Sequence, residues 1–215
     1  MREPDAMDFR KEDAHLAGLA LVVLPALALS GVAPYDRLTW LMEVMPVLIV
    51  FPLLAATRRS FPLTPLLYIL VGLHALILIG GGAYTYARVP AGFWVQELFD
   101  LARNPYDKLG HFAQGFIPAL AAREILLRGG YVNGRRMLFF LCMCVALAVS
   151  AVYEMLEWFS AMLLGQGADE FLGTQGDGWD TQSDMFMALI GALCMLFAMS
   201  GMHDRQIAAL RRENP

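Results

Sequence analysis

The chain has 215 residues, of which 58% are hydrophobic and 17% are charged, and its mean hydropathy is +0.51. Soluble domains carry about a quarter of their residues as charged groups. The composition therefore excludes an ordinary soluble domain and favours one polytopic membrane domain over residues 1–215. The net charge of −4 comes without a basic patch, which argues against nucleic acid as a partner. The lipid bilayer is the first partner that the sequence predicts.

Six apolar runs follow one another along the chain. A helix needs roughly 20 apolar residues to cross the hydrocarbon core of a bilayer, and five runs reach that length while one comes close. The predicted spans are residues 14–32, 38–56, 63–84, 107–127, 137–164 and 184–202. The fourth run is the most polar. We therefore predict an all-α membrane helix bundle with about six transmembrane helices.

The connection between the third and fourth runs, residues 88–106, mixes apolar and charged side chains. Phe93, Trp94 and Leu98 share it with Glu97 and Asp100. This mixture is typical of a short amphipathic helix that lies on the membrane surface. A plain connecting loop accounts for the pattern equally well.

Basic residues are distributed unevenly between the two sides of the predicted bundle. Twelve of the 16 Lys and Arg residues fall on the side that holds both termini. Because cytoplasmic loops carry the excess of Lys and Arg, we predict that both termini are cytoplasmic. The connection at 165–183 contains Asp169 and Glu170 and no basic residue, and it is expected to face outward. The predicted location is the bacterial inner membrane, with several passes.

Acidic and polar residues from four spans are expected at one depth. At a rise of about 1.5 Å per residue, Glu154 and Glu157 lie roughly 26 and 30 Å from the start of their run. That places both near the outer edge of a core about 30 Å thick. His111 is expected about 6 Å below the same surface. The residues expected in this outer band or in the loop above it are Glu43, Asp107, His111, Gln114, Glu154, Glu157, Asp177, Asp180 and Asp184.

Spacing places Asp107, His111 and Gln114 on one helix face, at i, i+4 and i+7. Carboxylates at one depth repel one another unless a proton, a cation or a charged His intervenes. Carboxylates with one His suit Mg²⁺, Ca²⁺, Mn²⁺ or Zn²⁺ without choosing among them. We predict a divalent-cation site in which His111 is a proton carrier held by Asp107, the candidate catalytic pair. The candidate metal ligands are Glu154, Glu157, Asp180 and Asp184, and the further pocket residues are Glu43, Gln114 and Asp177.

Each of these residues also has a structural alternative. The aspartates at 177, 180 and 184 could form a solvated loop and a helix N-cap, where Asp is favoured. Glu154 and Glu157 could extend to the interface. His111 alone could be a hydrogen-bonded core residue, and Glu43 could be an interfacial acid.

Three motifs carry a resemblance to a known family. They are YDKLGHFAQGF at 106–116, YEMLEW at 153–158 and FLGTQGDGWDTQSDM at 171–185. With them, the chain resembles the YjdF family of bacterial inner-membrane proteins, a resemblance that implies a membrane fold and no established activity. The chain more distantly resembles VanZ-type proteins, which are linked to glycopeptide-antibiotic tolerance. The positions that match the VanZ pattern are Asp107, Lys108, His111, Glu154 or Glu157, and Asp180 or Asp184.

Three functions fit these observations. The first is cation-dependent binding, or hydrolysis or transfer, of a lipid-linked or amphiphilic envelope molecule in an outward-facing Asp/Glu/His pocket. The second is a proton- or ion-coupled transporter, in which the same acids relay charge. The third is a non-catalytic membrane partner protein whose acidic loop binds another protein.

Overall fold

The structure is a computed structural model that describes residues 6–164 and 174–213, with side chains described for residues 13–163 and 174–212. The described part is helical throughout and contains no strand. One turn of 3-10 helix, Tyr86–Arg88, precedes the short helix α4. The α-helices are α1 (Ala6–Ser30), α2 (Arg37–Thr57), α3 (Pro65–Tyr84), α4 (Pro90–Phe99), α5 (Tyr106–Arg128), α6 (Arg135–Leu164), α7 (Asp180–Ala198) and α8 (Ser200–Glu213).

Five of these helices are long and apolar enough to cross a membrane, namely α1, α2, α3, α6 and α7. Helix α5 has 23 residues, which gives it a length of about 34 Å, and it is more polar than the others. It packs against α7, α6 and α3, so its polar groups are covered by protein. The prediction of an all-α bundle with about six membrane helices is confirmed.

Local signals explain where the spans begin. The Asp36 side chain accepts a hydrogen bond from the backbone N–H of Thr39 at 2.7 Å and caps the start of α2. Thr64 caps α3 in the same way, and Pro65 follows at the first helical position, where its missing N–H costs nothing.

Helix α7 differs from the sequence-based prediction at both ends. It begins at Asp180, so the predicted loop at 165–183 ends earlier, because Asp180 is stabilised in the first turn by Arg103 of the α4–α5 connection and Lys108 of α5. Helix α7 also ends at Ala198 rather than 202, and α8 follows directly.

The connection at 88–106 contains the helix α4, so the alternative of a plain loop was wrong. Residues 165–173, with Asp169 and Glu170, lie outside the described residues.

The closest helix pair is α5 with α7, because both helices have small residues where they meet. A Cβ on Gly115 would lie 1.8 Å from the backbone oxygen of Ala188. A Cβ on Gly191 would lie 2.0 Å from the backbone oxygen of Phe112. Small residues that permit such close contact are the usual basis of tight helix packing in membranes. This contact fixes α5 and α7 relative to each other.

Gly115→Ala is therefore expected to destabilise the protein. The added methyl group cannot displace a backbone atom without moving the helices apart, and overpacking of this kind costs about 1–3 kcal/mol. The free energy of unfolding, measured by SDS titration of the purified protein, should fall by that amount. Gly18→Ala is the matched control, because nothing lies within 4 Å of a Cβ there. Equal stability of the two variants would contradict the packing.

The end of the bundle opposite to α4 is closed by a network around Glu124, whose side chain is fully buried. Glu124 accepts hydrogen bonds from the backbone N–H and the hydroxyl of Thr64, at 3.0 and 2.7 Å, and from Arg128 at 2.7 Å. His203 Nε2 lies 3.0 Å from Glu124 Oε2. Because Arg123 donates to His203 Nδ1 at 2.9 Å, the Nε2–H of His203 must donate to Glu124. Helix α8 is thereby attached to α3 and α5.

Candidate functional site

His111 lies at the centre of a buried polar cluster formed by the first turns of α5 and α7 and the last turns of α6. Its Nδ1 atom lies 3.0 Å from Gln114 Oε1, and its Nε2 atom lies 3.4 Å from Asp107 Oδ1. These residues are three and four positions away on the same helix, so α5 alone orients the imidazole. With the Gln114 oxygen as acceptor, Nδ1 carries a hydrogen and Nε2 faces the carboxylates.

Carboxylates from two other helices approach the same imidazole. Glu154 of α6 places Oε1 at 3.7 Å from His111 Nδ1. Asp184 of α7 places Oδ1 at 3.8 Å from His111 Nε2. Both carboxylates are buried, with 7% and 2% of their surface exposed. Three helices thus bring acidic groups to the two nitrogens of one His side chain.

Lys108 connects the two aspartates of α7. Its Nζ atom donates to Asp180 Oδ1 at 2.9 Å, to Asp184 Oδ1 at 2.5 Å and to Ser183 Oγ at 2.7 Å. Asp107 Oδ2 lies 3.7 Å from the same atom. The ammonium therefore neutralises part of the acidic cluster from its own helix α5.

A second basic residue, Arg103, holds the segment before α7. Its guanidinium contacts Asp180 Oδ1 at 2.7 Å and Asp177 Oδ2 at 3.0 Å, and it donates to the backbone oxygen of Thr174 at 2.8 Å. Burial disfavours the charged guanidinium, but the hydrogen bond to Asp180 and the two carboxylates outweigh it, so the pKa of Arg103 is above its ordinary value. Arg103 is therefore a permanent cation at the rim of the cluster.

A small cavity of about 20 Å³ lies beside His111 and is lined by α2, α3, α5 and α6. Glu43 faces it and accepts a hydrogen bond from the Tyr153 hydroxyl at 2.9 Å. Glu157 also lines it, and so does Tyr86, whose burial raises the pKa of the phenol well above its ordinary value. The cavity therefore extends the acidic cluster toward α2.

The cluster is not balanced by the groups that surround it. Two buried carboxylate oxygens, Asp107 Oδ2 and Glu154 Oε1, accept no hydrogen bond within the described residues. Among the described residues, this region contains six buried carboxyl groups but two basic side chains, Arg103 and Lys108, which contact three of the six. The six are Glu43, Asp107, Glu154, Glu157, Asp180 and Asp184. Unpartnered buried carboxylates are costly, so the site is suited to a bound donor, proton or cation.

Among the described residues, one group of three side chains meets the spacing that a metal ion requires. Ligand atoms of Asp107, His111 and Asp184 lie within 4.8 Å of one another. This group shares only Asp184 with the predicted ligands. Asp180 is held by Arg103 and Lys108 and is not a member of this group. Glu154 faces the other nitrogen of His111.

The structure brings His111 together with Asp107, Glu154 and Asp184, which the sequence placed near one another. Glu154 and Glu157 are at most 9% exposed, so they do not extend to the interface. Glu43 is buried against Tyr153 and is not an interfacial acid. Asp177 lies at the rim, where it binds Arg103. We name this cluster the acidic end of the bundle. It consists of Glu43, Arg103, Asp107, Lys108, His111, Gln114, Glu154, Glu157, Asp177, Asp180 and Asp184.

Sequence reasoning missed the basic members of the acidic end. Arg103 was not singled out in the sequence, and Lys108 was named only through the VanZ resemblance. Their acidic partners lie more than 70 positions away in the chain. The one available signal was that the stretch from Tyr153 to Asp184 contains seven carboxylates and no basic residue, which required cations from elsewhere.

Comparisons with known proteins agree with this architecture. A family model described as "Predicted membrane protein (DUF2238)" matches residues 15–205. The inner membrane protein YjdF of Escherichia coli (strain K12) is 62% identical over 188 residues, which cover 87% of this chain and 90% of that protein. No solved structure matches the chain significantly. The predicted resemblance is confirmed, and the chain belongs to this YjdF family as a multi-pass protein of the bacterial inner membrane.

Proposed function

We propose that the acidic end is an outward-facing site that binds the polar head group of a lipid-linked or amphiphilic envelope molecule with the help of a divalent cation. Asp107, His111 and Asp184 hold the cation. Glu154 and the residues around the small cavity contact the head group. The more distant VanZ resemblance is compatible with an envelope role and remains a prediction.

The observation that carries this proposal is that one oxygen of Asp107 and one of Glu154 are buried and accept no hydrogen bond from any residue that the structure describes. Both belong to buried residues, and both carboxylates lie beside His111. A hydrogen-bonded structural network would satisfy such oxygens, as the Glu124 network does at the other end. Because neither oxygen accepts a hydrogen bond within the described part of the chain, a bound ligand that donates hydrogen bonds or carries positive charge is favoured.

The orientation of His111 supports the same proposal. Metal-binding His side chains almost always donate their other N–H to a carboxylate, carbonyl or water. Here Nδ1 faces Gln114 Oε1 at 3.0 Å, which leaves Nε2 directed toward Asp107 and Asp184. When no cation is bound, the same nitrogen is placed to take a proton from a water or hydroxyl group in the site. This is the basis of the proposed proton-carrier role.

Calorimetry on the purified protein in lipid nanodiscs tests the proposal. Titration with Mn²⁺ should show one site per chain with a Kd of about 0.1 mM or tighter. Glu97→Gln, which changes an exposed carboxylate of α4, should bind Mn²⁺ like the wild type. The proposed cation site would be overturned if the heats of titration fit only weak, nonspecific surface binding. Equal heats for Mn²⁺ and Na⁺ would overturn it as well.

A second candidate, a proton-coupled carrier, is favoured by one observation. The Glu124 and His203 network provides buried ionisable groups at the opposite end of the bundle. Apolar residues of the core, including Ile117 and Leu120, lie on α5 between the two polar clusters. A carrier would need a polar path through this layer, so head-group binding is the better supported function.

A further inference from the structure

An apolar crevice lies between α2 and α6. Its volume is about 440 Å³, and its walls come from α1, α2, α3, α5 and α6. The crevice exists because α2 packs mainly against α3, whereas α6 packs against α5 and α7. Nearly all of its surface is apolar. Such a surface is filled by hydrocarbon rather than by water when it faces a bilayer.

The crevice is open to the surrounding lipid along one side. Three of its lining residues, Val145, Val149 and Ile125, are 39%, 38% and 49% exposed. Its inner wall contains Ala75 and Ala122, which are 7% exposed each. A chain can therefore enter sideways from the bilayer and reach residues that the bulk lipid does not touch.

The crevice runs along the bundle and ends at the acidic end. On α5 its lining extends from Gln114 to Ile125, which is about 16 Å, more than half of a hydrocarbon core of about 30 Å. Gln114 and Tyr153 line both this crevice and the small cavity beside His111. One molecule could therefore occupy the crevice with its chain and the acidic end with its polar group.

We infer that the crevice between α2 and α6 binds one hydrocarbon chain of the amphiphile whose head group occupies the acidic end. The inference rests on the proposed function and adds that the ligand enters laterally from the membrane. A hydrocarbon chain attached to a polar group is the occupant that suits this site, because Gln114 and Tyr153 line both the crevice and the small cavity beside His111. A single extended chain fits both the volume and the length.

Photolabelling tests the inference with a probe that does not depend on the head-group site. The purified protein in nanodiscs is incubated with a long-chain fatty alcohol that carries a diazirine, is irradiated, and is analysed for labelled residues by mass spectrometry. Labels are expected on Ala75 and Ala122 in the wild type. Val149→Trp should lower the labelling of Ala75 and Ala122 at least about tenfold, because the indole fills the crevice and prevents the probe chain from contacting its inner wall.

Val152→Trp is the matched control. Val152 lies on the same helix, is 51% exposed and does not line the crevice, so labelling should remain within about twofold of the wild type. Labels confined to lipid-facing residues such as Leu73, or an equal loss in both variants, would overturn the inference.

Manganese titration of the same samples distinguishes this failure from failure of the proposed function. If Ala122 is labelled but Mn²⁺ does not bind, the proposed chain site is supported and the proposed cation site is contradicted. If Mn²⁺ binds but Ala75 and Ala122 are not labelled, the cation site is supported and the chain site is contradicted. Val149→Trp should still bind Mn²⁺, since Val149 is not among the three proposed cation ligands.

Discussion

Asp184→Asn should weaken Mn²⁺ binding at least about a hundredfold, since even loss of a residue that only supports a ligand costs 10–100-fold. The substitution keeps the shape of the side chain and removes the charge from a carboxylate that lies 3.8 Å from His111 Nε2 and 2.5 Å from Lys108 Nζ. Calorimetry in nanodiscs measures the change. Asp177→Asn is the matched control, because Asp177 lies at the rim and binds Arg103. The Mn²⁺ affinity of this variant should stay near that of the wild type.

Lys108→Met should change the affinity in the opposite direction. In the structure, the ammonium of Lys108 donates to Asp184 Oδ1. It would therefore compete with a cation for this oxygen. Its removal should strengthen Mn²⁺ binding by about tenfold, provided that the thermal unfolding profile shows a folded protein. Weaker binding in a folded Lys108→Met variant, together with unchanged binding in Asp184→Asn, would show that the acidic end is a structural ion-pair network.

Glu124→Gln should destabilise the protein by about 3–5 kcal/mol, the usual cost of breaking a buried charge pair by changing one partner. Gln keeps the volume but places an amide group among donors from Thr64, Arg128 and His203. These donors then have no charged acceptor, and α8 loses its attachment to α3 and α5. The free energy of unfolding from SDS titration measures the effect.

Glu97→Gln is the control for this experiment as well. Glu97 is exposed on α4, and exposed ion pairs contribute about 0–1 kcal/mol. Because the Glu124 network lies at the opposite end of the bundle, a folded Glu124→Gln variant should also keep its Mn²⁺ affinity. A loss of stability below about 1 kcal/mol would show that the Glu124 network does not hold α8.

Helical spacing predicted much of the acidic end because it states which side chains share one face of one helix. Asp107, His111 and Gln114 were expected on one face of α5, and in the structure their side chains contact one another. Glu154 and Asp184 were expected at the same depth, and the structure places both beside His111. Hydropathy likewise predicted the all-helical bundle, of whose described helices five are long and apolar enough to cross a membrane.

Spacing does not state which helices are neighbours or how they are rotated, and the remaining errors follow from this. The acidic partners of Lys108 and Arg103 lie on α7 or just before it, more than 70 positions away, so these ion pairs could not be derived from the local pattern. His203 and Glu124 are separated by 79 positions in the same way. Asp180 was placed in the loop because its helix-stabilising contacts come from these distant residues.

The crevice was also beyond sequence reasoning. Apolar residues on α2 and α6 look alike whether they face lipid, a neighbouring helix or a cavity. Val145 and Val149 are separated by one turn from residues that are fully buried, such as Cys142 and Ala146, and only the packing of whole helices distinguishes them. A site that combines an acidic end with an apolar crevice therefore required the three-dimensional structure.

Anomalous diffraction from crystals grown in a lipid phase with Mn²⁺ tests the acidic end most directly. We expect one anomalous peak between Asp107, His111 Nε2 and Asp184, at about 2.0–2.6 Å from each ligand atom, with Lys108 displaced from Asp184. A structure in which Lys108 still bridges Asp180 and Asp184, with no anomalous peak beside His111 at saturating Mn²⁺, would contradict the proposed site.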